Sequence, residues 1–421
     1  GTRFLQAYAT SSICHASRAG LITGCCQARQ GIFGYGGPGI HRKQLPTIAE
    51  LLRAAGYATG YTGKFHYGGG TTHDPESRSF PLNHGFGEFY GFGGERKHYL
   101  IHNAEAEAVF LQIQTEQARP GQSLQQGALW RNRRQIDQRG FLTELFGEQA
   151  RRFIGKHRDR PFFLQLAFNA VHDFTHQLPE KYLQAQNLKG YYDWDAASED
   201  YDEWYRRGHR PENPEGRAHY LGQLHYLDLE VGRILDYLDQ TGLRENTLVI
   251  YIGDNGGSTS IHADNGPLRG SRDTLYEGGI RVPLIISWPG QVRQGKLSGN
   301  IVSAMDLLPT ICAATGVQIP DHLDGQNILP LLTGTDTSLS HQTLVWDTGH
   351  ETAVRHGKWK LKTAQHRQRA GLQMADQIPG EFLYDLDSDP GETKDLASTY
   401  PEVFTRLKMI YADWRAGLKS R

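Results

Sequence analysis

The chain has 421 residues, with 45 Lys and Arg against 46 Asp and Glu and a formal net charge of −1. That length fits one large domain with a smaller one beside it, and the even charge balance excludes the global positive field of a nucleic-acid binder. Four cysteines, Cys14, Cys25, Cys26 and Cys312, are too few and too unevenly spread for a disulfide scaffold, and no stretch reaches the ~20 apolar residues that span a bilayer.

In chain order, Gly1 to Tyr8 reads as a strand, and the run Ser12-Ile13-Cys14-His15-Ala16-Ser17-Arg18, continuing to Gly24, reads as a helix that begins at Cys14. Adjacent Cys25 and Cys26 read as packing residues. Pro46 to Gly56 has helical spacing and a glycine stop, and Tyr57 to Thr62 is a strand. Helix followed by apolar strand recurs at 143–157 with 161–168, and again at 219–241 with 247–253, which predicts an α/β layered domain. Glycine and polar residues dominate 68–140. Segment 191–214 alternates acids with Trp194, Tyr201, Trp204 and Tyr205, and reads either as a solvated acidic loop or as an aromatic wall for a sugar ring. From about Leu344, four short strands and a helix over 401–418 predict a small antiparallel sheet with one helix on it. The division expected is 1–340 for the large domain and 341–421 for the small one.

In such layered sheets, functional groups collect beyond the carboxyl ends of the strands, and the candidates lie just after the apolar runs. A helix start offers N–H groups and positive dipole to an anion beside Cys14, with Arg18 one turn later on the same face. Lys64 and His66 end the strand from Tyr57. Asp254-Asn255-Gly256 closes the strand 247–252 with two oxygen-bearing side chains, which suits a hard cation and also an ordinary turn.

The segment Cys14-His15-Ala16-Ser17-Arg18 followed by Leu21-Ile22-Thr23-Gly24 resembles the first signature of the formylglycine-dependent sulfatase family, within the alkaline-phosphatase-like superfamily. The run Gly56 to His66, ending Gly63-Lys64-Phe65-His66, resembles the second. His15 and Ala16 depart from the commonest form, where a small residue and a proline stand. The likeness continues through Asn265 to Pro283, Val354 to Leu361 and Leu383 to Leu396, and so covers essentially the whole chain. The resemblance implies a large mixed sheet flanked by helices, oxidation of Cys14 to formylglycine by a formylglycine-generating enzyme, and hydrolysis of sulfate monoesters by the aldehyde hydrate.

By the same resemblance Lys64 and Arg272, the latter where lysine is usual, contact sulfate with Arg18. His66 accepts a proton from the geminal diol, and His172 donates one to the leaving alcohol, with His176 the alternative. His176 and His262 are candidate substrate contacts. Asp254, Asn255 and the diol of residue 14 ligate Ca²⁺, or alternatively Mg²⁺. The family's first strand, which supplies two further ligands, is expected to be missing from the sequence together with any signal peptide. The expected location is periplasmic or secreted. The expected substrate is a sulfated carbohydrate, as polysaccharide or glycosaminoglycan fragments. Two alternatives stand beside it: a phosphonate or phosphate ester hydrolase of the same superfamily, and a non-catalytic relative that binds sulfated sugars.

Overall fold

Thr2–Tyr8 alternates buried and exposed positions over its first residues and forms strand β1, which ends in a buried Ala9-Thr10-Ser11-Ser12-Ile13 segment leading to helix α1, Cys14–Thr23. The computed structural model of the chain describes residues 1–34, 37–41, 45–67, 74–94, 99–101, 129–136, 138–189, 213–365 and 378–418. Trp194, Tyr201, Trp204 and Tyr205 lie outside the described residues, as does much of the 68–140 stretch.

The remaining elements are helix α2 (Ile48–Ala54), β2 (Ala58–Lys64), β3 (Glu88–Phe92), β4 (Leu100–Ile101), β5 (Leu129–Arg131), β6 (Arg134–Ile136), β7 (Gly140–Phe141), α3 (Leu142–Lys156), β8 (Phe162–Ala167), α4 (Glu180–Ala185) and α5 (Gly216–Gln240). They continue with β9 (Val249–Ile252), α6 (Glu277–Ile280), β10 (Leu284–Ser287), β11 (Lys296–Ser303), α7 (Leu307–Thr315), α8 (Leu329–Thr333), four strands β12 to β15 (Thr343–Asp347, Glu351–His356, Trp359–Ala364, Gly380–Asp385) and helix α9 (Pro401–Gly417). The α/β architecture and the C-terminal antiparallel sheet are those the sequence predicts. The strands outside that sheet form two mixed sheets and the short β4/β7 pair.

The chain divides into two units, residues 1–48, 245–257 and 264–421, and residues 49–244 and 258–263. The first holds a sheet of order β11-β1-β10-β9, in which β1 runs parallel to β11 and antiparallel to β10. It also holds the antiparallel sheet β12-β13-β14-β15, covered by α9 through Val354, Leu361, Leu383 and Leu407. This C-terminal sheet reaches the end of β1 directly. Trp346 packs on Tyr8 at 5.4 Å between ring centroids and donates its indole N–H to the carbonyl of Ala9 at 2.8 Å.

Two fully buried lysines on alternate positions of β14 make the second connection within this unit. Lys360 lies 3.0 Å from Glu277 and 2.9 Å from Glu392, while Lys362 lies 3.2 Å from Glu351. The acids in turn hold backbone: Glu392 accepts the N–H of Glu277 at 2.6 Å, and Glu351 accepts that of Leu275 at 2.8 Å. Residues 271–281, an irregular stretch with one short helix, are therefore fixed from the C-terminal sheet.

Lys360 is shared by two buried carboxylates, whose titrations are driven apart. Burial pushes the Glu392 carboxyl up to about 7, with Lys360 pulling it down and Glu277 pushing it further up. Burial also raises Glu277, but Lys360 and the Tyr8 hydroxyl outweigh it and hold that carboxyl below its ordinary range. The signs are opposite. Glu392 lends stability that is complete below the ordinary carboxyl range and is lost as pH rises toward 7, whereas the contribution of Glu277 is lost on acidification. Replacing Glu392→Gln is expected to remove about 2–3 kcal/mol of pH-dependent stability between pH values of about 5 and 8. Urea unfolding of both proteins across that window measures it, and identical pH dependence in the two would refute the assignment.

The second unit holds a sheet of order β6-β5-β3-β2-β8, with β2 parallel to both β3 and β8. Helix α3 packs on β2 and β8, with Phe153 against Gly60. Tyr61, Phe65, Phe80, Phe86 and Phe89 form edge-to-face contacts that fill the space beside β2. Each such ring removes enough apolar surface from water to stabilise the fold by roughly 1.5–3 kcal/mol, so the end of β2 is firmly held.

Candidate active site

Within the first unit, Cys14 is the first residue of α1 and is 2 % exposed. Ile13 before it is extended, and Ser17 N–H closes the first turn onto the Ile13 carbonyl at 2.9 Å. The first-turn amides and the positive end of the helix dipole therefore gather at Cys14, as the sequence predicts. Arg18, one turn along, is buried and paired with an acid. Its Nη2 and Nε lie 2.7 and 2.8 Å from Oδ2 of Asp254, at the end of β9. This pair links the cysteine-bearing helix to the Asp254-Asn255 turn, a connection that neither motif shows by itself.

Arg272 is joined to the same turn through backbone, its N–H donating to the Gly257 carbonyl at 3.1 Å, and the next residue, Asp273, donates its N–H to Ser12 at 3.1 Å. Asp273 takes a left-handed φ of 76° to do so, and its carboxylate lies 3.9 Å from the Arg272 guanidinium. Cys14, Arg18, Asp254, Asn255 and Arg272 thus sit on three segments bound to each other. Asp273 is the residue of this group that the sequence reading missed, since an Arg-Asp dipeptide carries no signal for such a turn.

Within the second unit, Lys64 is the last residue of β2 and His66 follows it in a left-handed conformation, φ 43°. Both are buried. Gly63 makes this strand end possible: at φ 110° a side chain is strained, and a Cβ would overlap the Ala167 carbonyl on β8. β2 and β8 run parallel with Gly63 opposite Ala167, so Lys64 and His66 leave the sheet at the same end as the loop carrying His172 and His176. His172 Nδ1 lies 3.7 Å from the carboxylate of Asp173. His176 is buried, its ring 6.3 Å from that of Phe174. His262 follows a short 3-10 turn at φ 68°. Its ring lies against Gly216 at the start of α5, and its carbonyl accepts from Arg217 at 2.8 Å.

Asp254 and Asn255 suit a hard cation in kind. Both are oxygen donors at a strand end, and the Asn255 amide nitrogen donates to the Gly256 carbonyl at 2.8 Å, which leaves its oxygen as the acceptor end. Asp254 Oδ2 already carries Arg18. Among the described residues, no group of three or more His, Cys, Asp or Glu side chains forms a metal cluster.

The family model described as Sulfatase matches residues 1–317. The chain belongs to the sulfatase family. A second model, N-sulphoglucosamine sulphohydrolase, C-terminal, matches residues 271–415 of this sulfatase. Arylsulfatase A of Homo sapiens is 30 % identical over 450 residues, covering 97 % of this chain and 80 % of that protein. N-acetylgalactosamine-6-sulfatase of Mus musculus is 28 % identical, covering 99 % and 80 %. Among solved structures, Ps i-CgsB in complex with k-i-k-neocarrahexaose superposes with a TM-score of 0.77 at 25 % identity, covering 98 % of this chain and 84 % of that one. This sulfatase is accordingly a sulfuric ester hydrolase of alkaline-phosphatase-like fold. No helix of the described residues is long and apolar enough to cross a membrane.

Proposed function

We propose that this sulfatase removes sulfate from sulfated carbohydrates, as polysaccharide or glycosaminoglycan fragments, using a formylglycine derived from Cys14. The observation that carries the reading is Cys14 at the start of α1, tied through Arg18 to Asp254 and, through backbone hydrogen bonds on either side, to the Arg272 loop. A neighbouring structure in complex with a carrageenan oligosaccharide and a relative named for N-acetylgalactosamine 6-sulfate support a sugar substrate. Relatives named as arylsulfatases support a second reading, small aromatic sulfates.

A sulfate monoester is an anion, and holding it is the first task of the chain. Lys64 and Arg272 are assigned to its oxygens, arginine offering two N–H groups in a plane where lysine offers a point charge. The helix start at Cys14 adds backbone N–H groups for the same charge. Arg18 acts through Asp254, neutralising and orienting its carboxylate. His172 is assigned to protonate the alcohol oxygen as it leaves sulfur, and His66 to remove a proton from residue 14 when sulfate is released. His176 and His262 are assigned to the sugar. When converted, residue 14 supplies a hydroxyl nucleophile with a second hydroxyl that permits its regeneration. Asp254 and Asn255 would hold a divalent cation, Ca²⁺ or alternatively Mg²⁺, that offsets the sulfate charge. A formylglycine-generating enzyme as maturation partner and a periplasmic or secreted location belong to the same reading.

The test is peptide mass at residue 14 after co-expression with a formylglycine-generating enzyme, followed by sulfate release from carrageenan and glycosaminoglycan oligosaccharides and from aryl sulfates and phosphates. Conversion of the thiol to an aldehyde with preference for the sugars supports the proposal. An unconverted cysteine with sugar binding but no release would replace it by the non-catalytic reading, and preference for phosphate esters by the phosphohydrolase reading.

A further inference from the structure

The loop after β8 carries His172 and His176 with no helix or strand to hold it between residues 168 and 179. Its backbone is held by side-chain hydrogen bonds from two buried residues, Tyr99 and Gln223, and those nearest His172 come from Tyr99. Tyr99 is fully buried, and its phenol oxygen donates to the Asn169 carbonyl at 2.9 Å while accepting the backbone N–H of His172 at 2.9 Å. One hydroxyl thus spans the segment from the last residues of the strand exit to the histidine itself. The backbone of Tyr99 is tied at both ends as well: its N–H donates to Gln177 Oε1 at 2.7 Å, and its carbonyl accepts the N–H of Leu142, the first residue of α3, at 2.8 Å. Gln223 on α5 completes the scaffold by donating to the carbonyls of Thr175 and Gln177 at 3.2 and 2.8 Å.

We infer that Tyr99 is the positioning residue for His172, its buried hydroxyl setting the direction from which that histidine delivers a proton to the departing alcohol. The inference rests on the assignment of His172 as proton donor. When the bond from sulfur to the ester oxygen breaks, the oxygen takes the bonding pair and the proton of His172. The distance and angle of that transfer follow the backbone at residue 172. Burial pushes the Tyr99 phenol well above its ordinary range, so it keeps the proton it donates to Asn169 at any pH at which the protein works. The ring packs with Phe141, Phe174, Leu178 and Tyr226. Tyr99→Phe therefore removes both hydrogen bonds and keeps the packing. A misplacement of about 1 Å at a reacting group can cost on the order of 100-fold in rate, and the loss of the clamp is expected to cost about tenfold where the proton matters.

A purely architectural tyrosine would slow every substrate alike, whereas a residue acting through a proton donor slows those whose leaving group needs the proton. The experiment measures kcat and KM for 4-nitrophenyl, phenyl and 4-methoxyphenyl sulfate with converted full-length enzyme, in wild type, Tyr99→Phe, His172→Ala and the double variant. Tyr99→Phe is expected to lose about tenfold in kcat on 4-methoxyphenyl sulfate and under about twofold on 4-nitrophenyl sulfate, with KM little changed. In the His172→Ala background it should cost nothing further. Gln177→Leu, which frees the Tyr99 N–H and leaves the phenol in place, should steepen the leaving-group dependence in the same sense and serves if Tyr99→Phe does not fold. A uniform loss across the series, or an unchanged dependence, while His172→Ala steepens it, overturns the role of Tyr99 and leaves the donor assignment standing. If His172→Ala itself leaves the dependence unchanged, the donor assignment fails and this inference with it.

Discussion

Sulfate release by a Cys14→Ala variant is expected to fall by about 10⁴-fold or more on every substrate the wild type accepts. The size follows from what is removed. On the proposed assignments Lys64, Arg272 and the helix start would still bind the anion in the variant while no nucleophile remains at residue 14, so the loss would belong to kcat and substrate affinity should change little. The fold should hardly notice. Alanine is the best helix former, and only a sulfur atom is lost from the buried first turn of α1. Thermal unfolding with binding of a sulfated oligosaccharide checks both halves. A variant that keeps its melting temperature and its affinity yet retains a tenth of wild-type turnover would end the case for residue 14 as nucleophile.

Replacing Lys360→Met is expected to cost the fold about 3–5 kcal/mol, the range found when one partner of a buried ion pair is removed. The methionine fills similar space, so the loss is electrostatic. Glu277 and Glu392 would then face each other without their shared cation in a site where water does not reach, and at least one would have to take up a proton on folding. The damage should extend beyond β14, because the Glu392 carboxylate also accepts the backbone N–H of Glu277, and the main-chain carbonyl of Glu392 accepts from Arg269 in the 265–283 segment. The Arg272 loop is therefore expected to loosen, with KM for sulfate esters rising before the protein unfolds. Urea titration gives the first effect and initial rates at low temperature the second. A loss below about 1 kcal/mol, typical of an exposed pair, would show that the lysine is better solvated than its burial implies.

The sequence exposes the parts of this architecture that are local. The start of α1 at Cys14, the β2 exit at Lys64 and the Asp254 turn each follow an apolar run and a clear stop, and the structure has them within one or two residues of those signals. The helix at 142–156 and the four C-terminal strands are equally legible from their periods. Strand β3 was hidden, because Glu88-Phe-Tyr-Gly-Phe is short, glycine-flanked and surrounded by polar residues, and only pairing with β2 gives it a place. The contacts between distant segments left no trace either. Nothing around Arg18 in the sequence points to its bond with Asp254, 236 residues away. Nothing near Tyr99 distinguishes it from other tyrosines until its hydroxyl is found between Asn169 and His172.

If residue 14 is converted as proposed, the burial of Cys14 imposes an order on the protein's own biogenesis. A thiol that is 2 % exposed, on the first turn of a helix buried along nearly its whole length, cannot enter the active site of another enzyme from the folded state. On the proposed chemistry, conversion and folding are then competitors for the same nascent chain, and the fold is a trap for any cysteine that loses the race. Chains emerge at about 5–20 residues per second, so the window is set by how soon β1 and the C-terminal sheet, almost the whole length of the chain later, close over the Ala9–Ile13 segment. The fraction of molecules carrying the converted residue would be a record of synthesis rate, fixed before the fold closes.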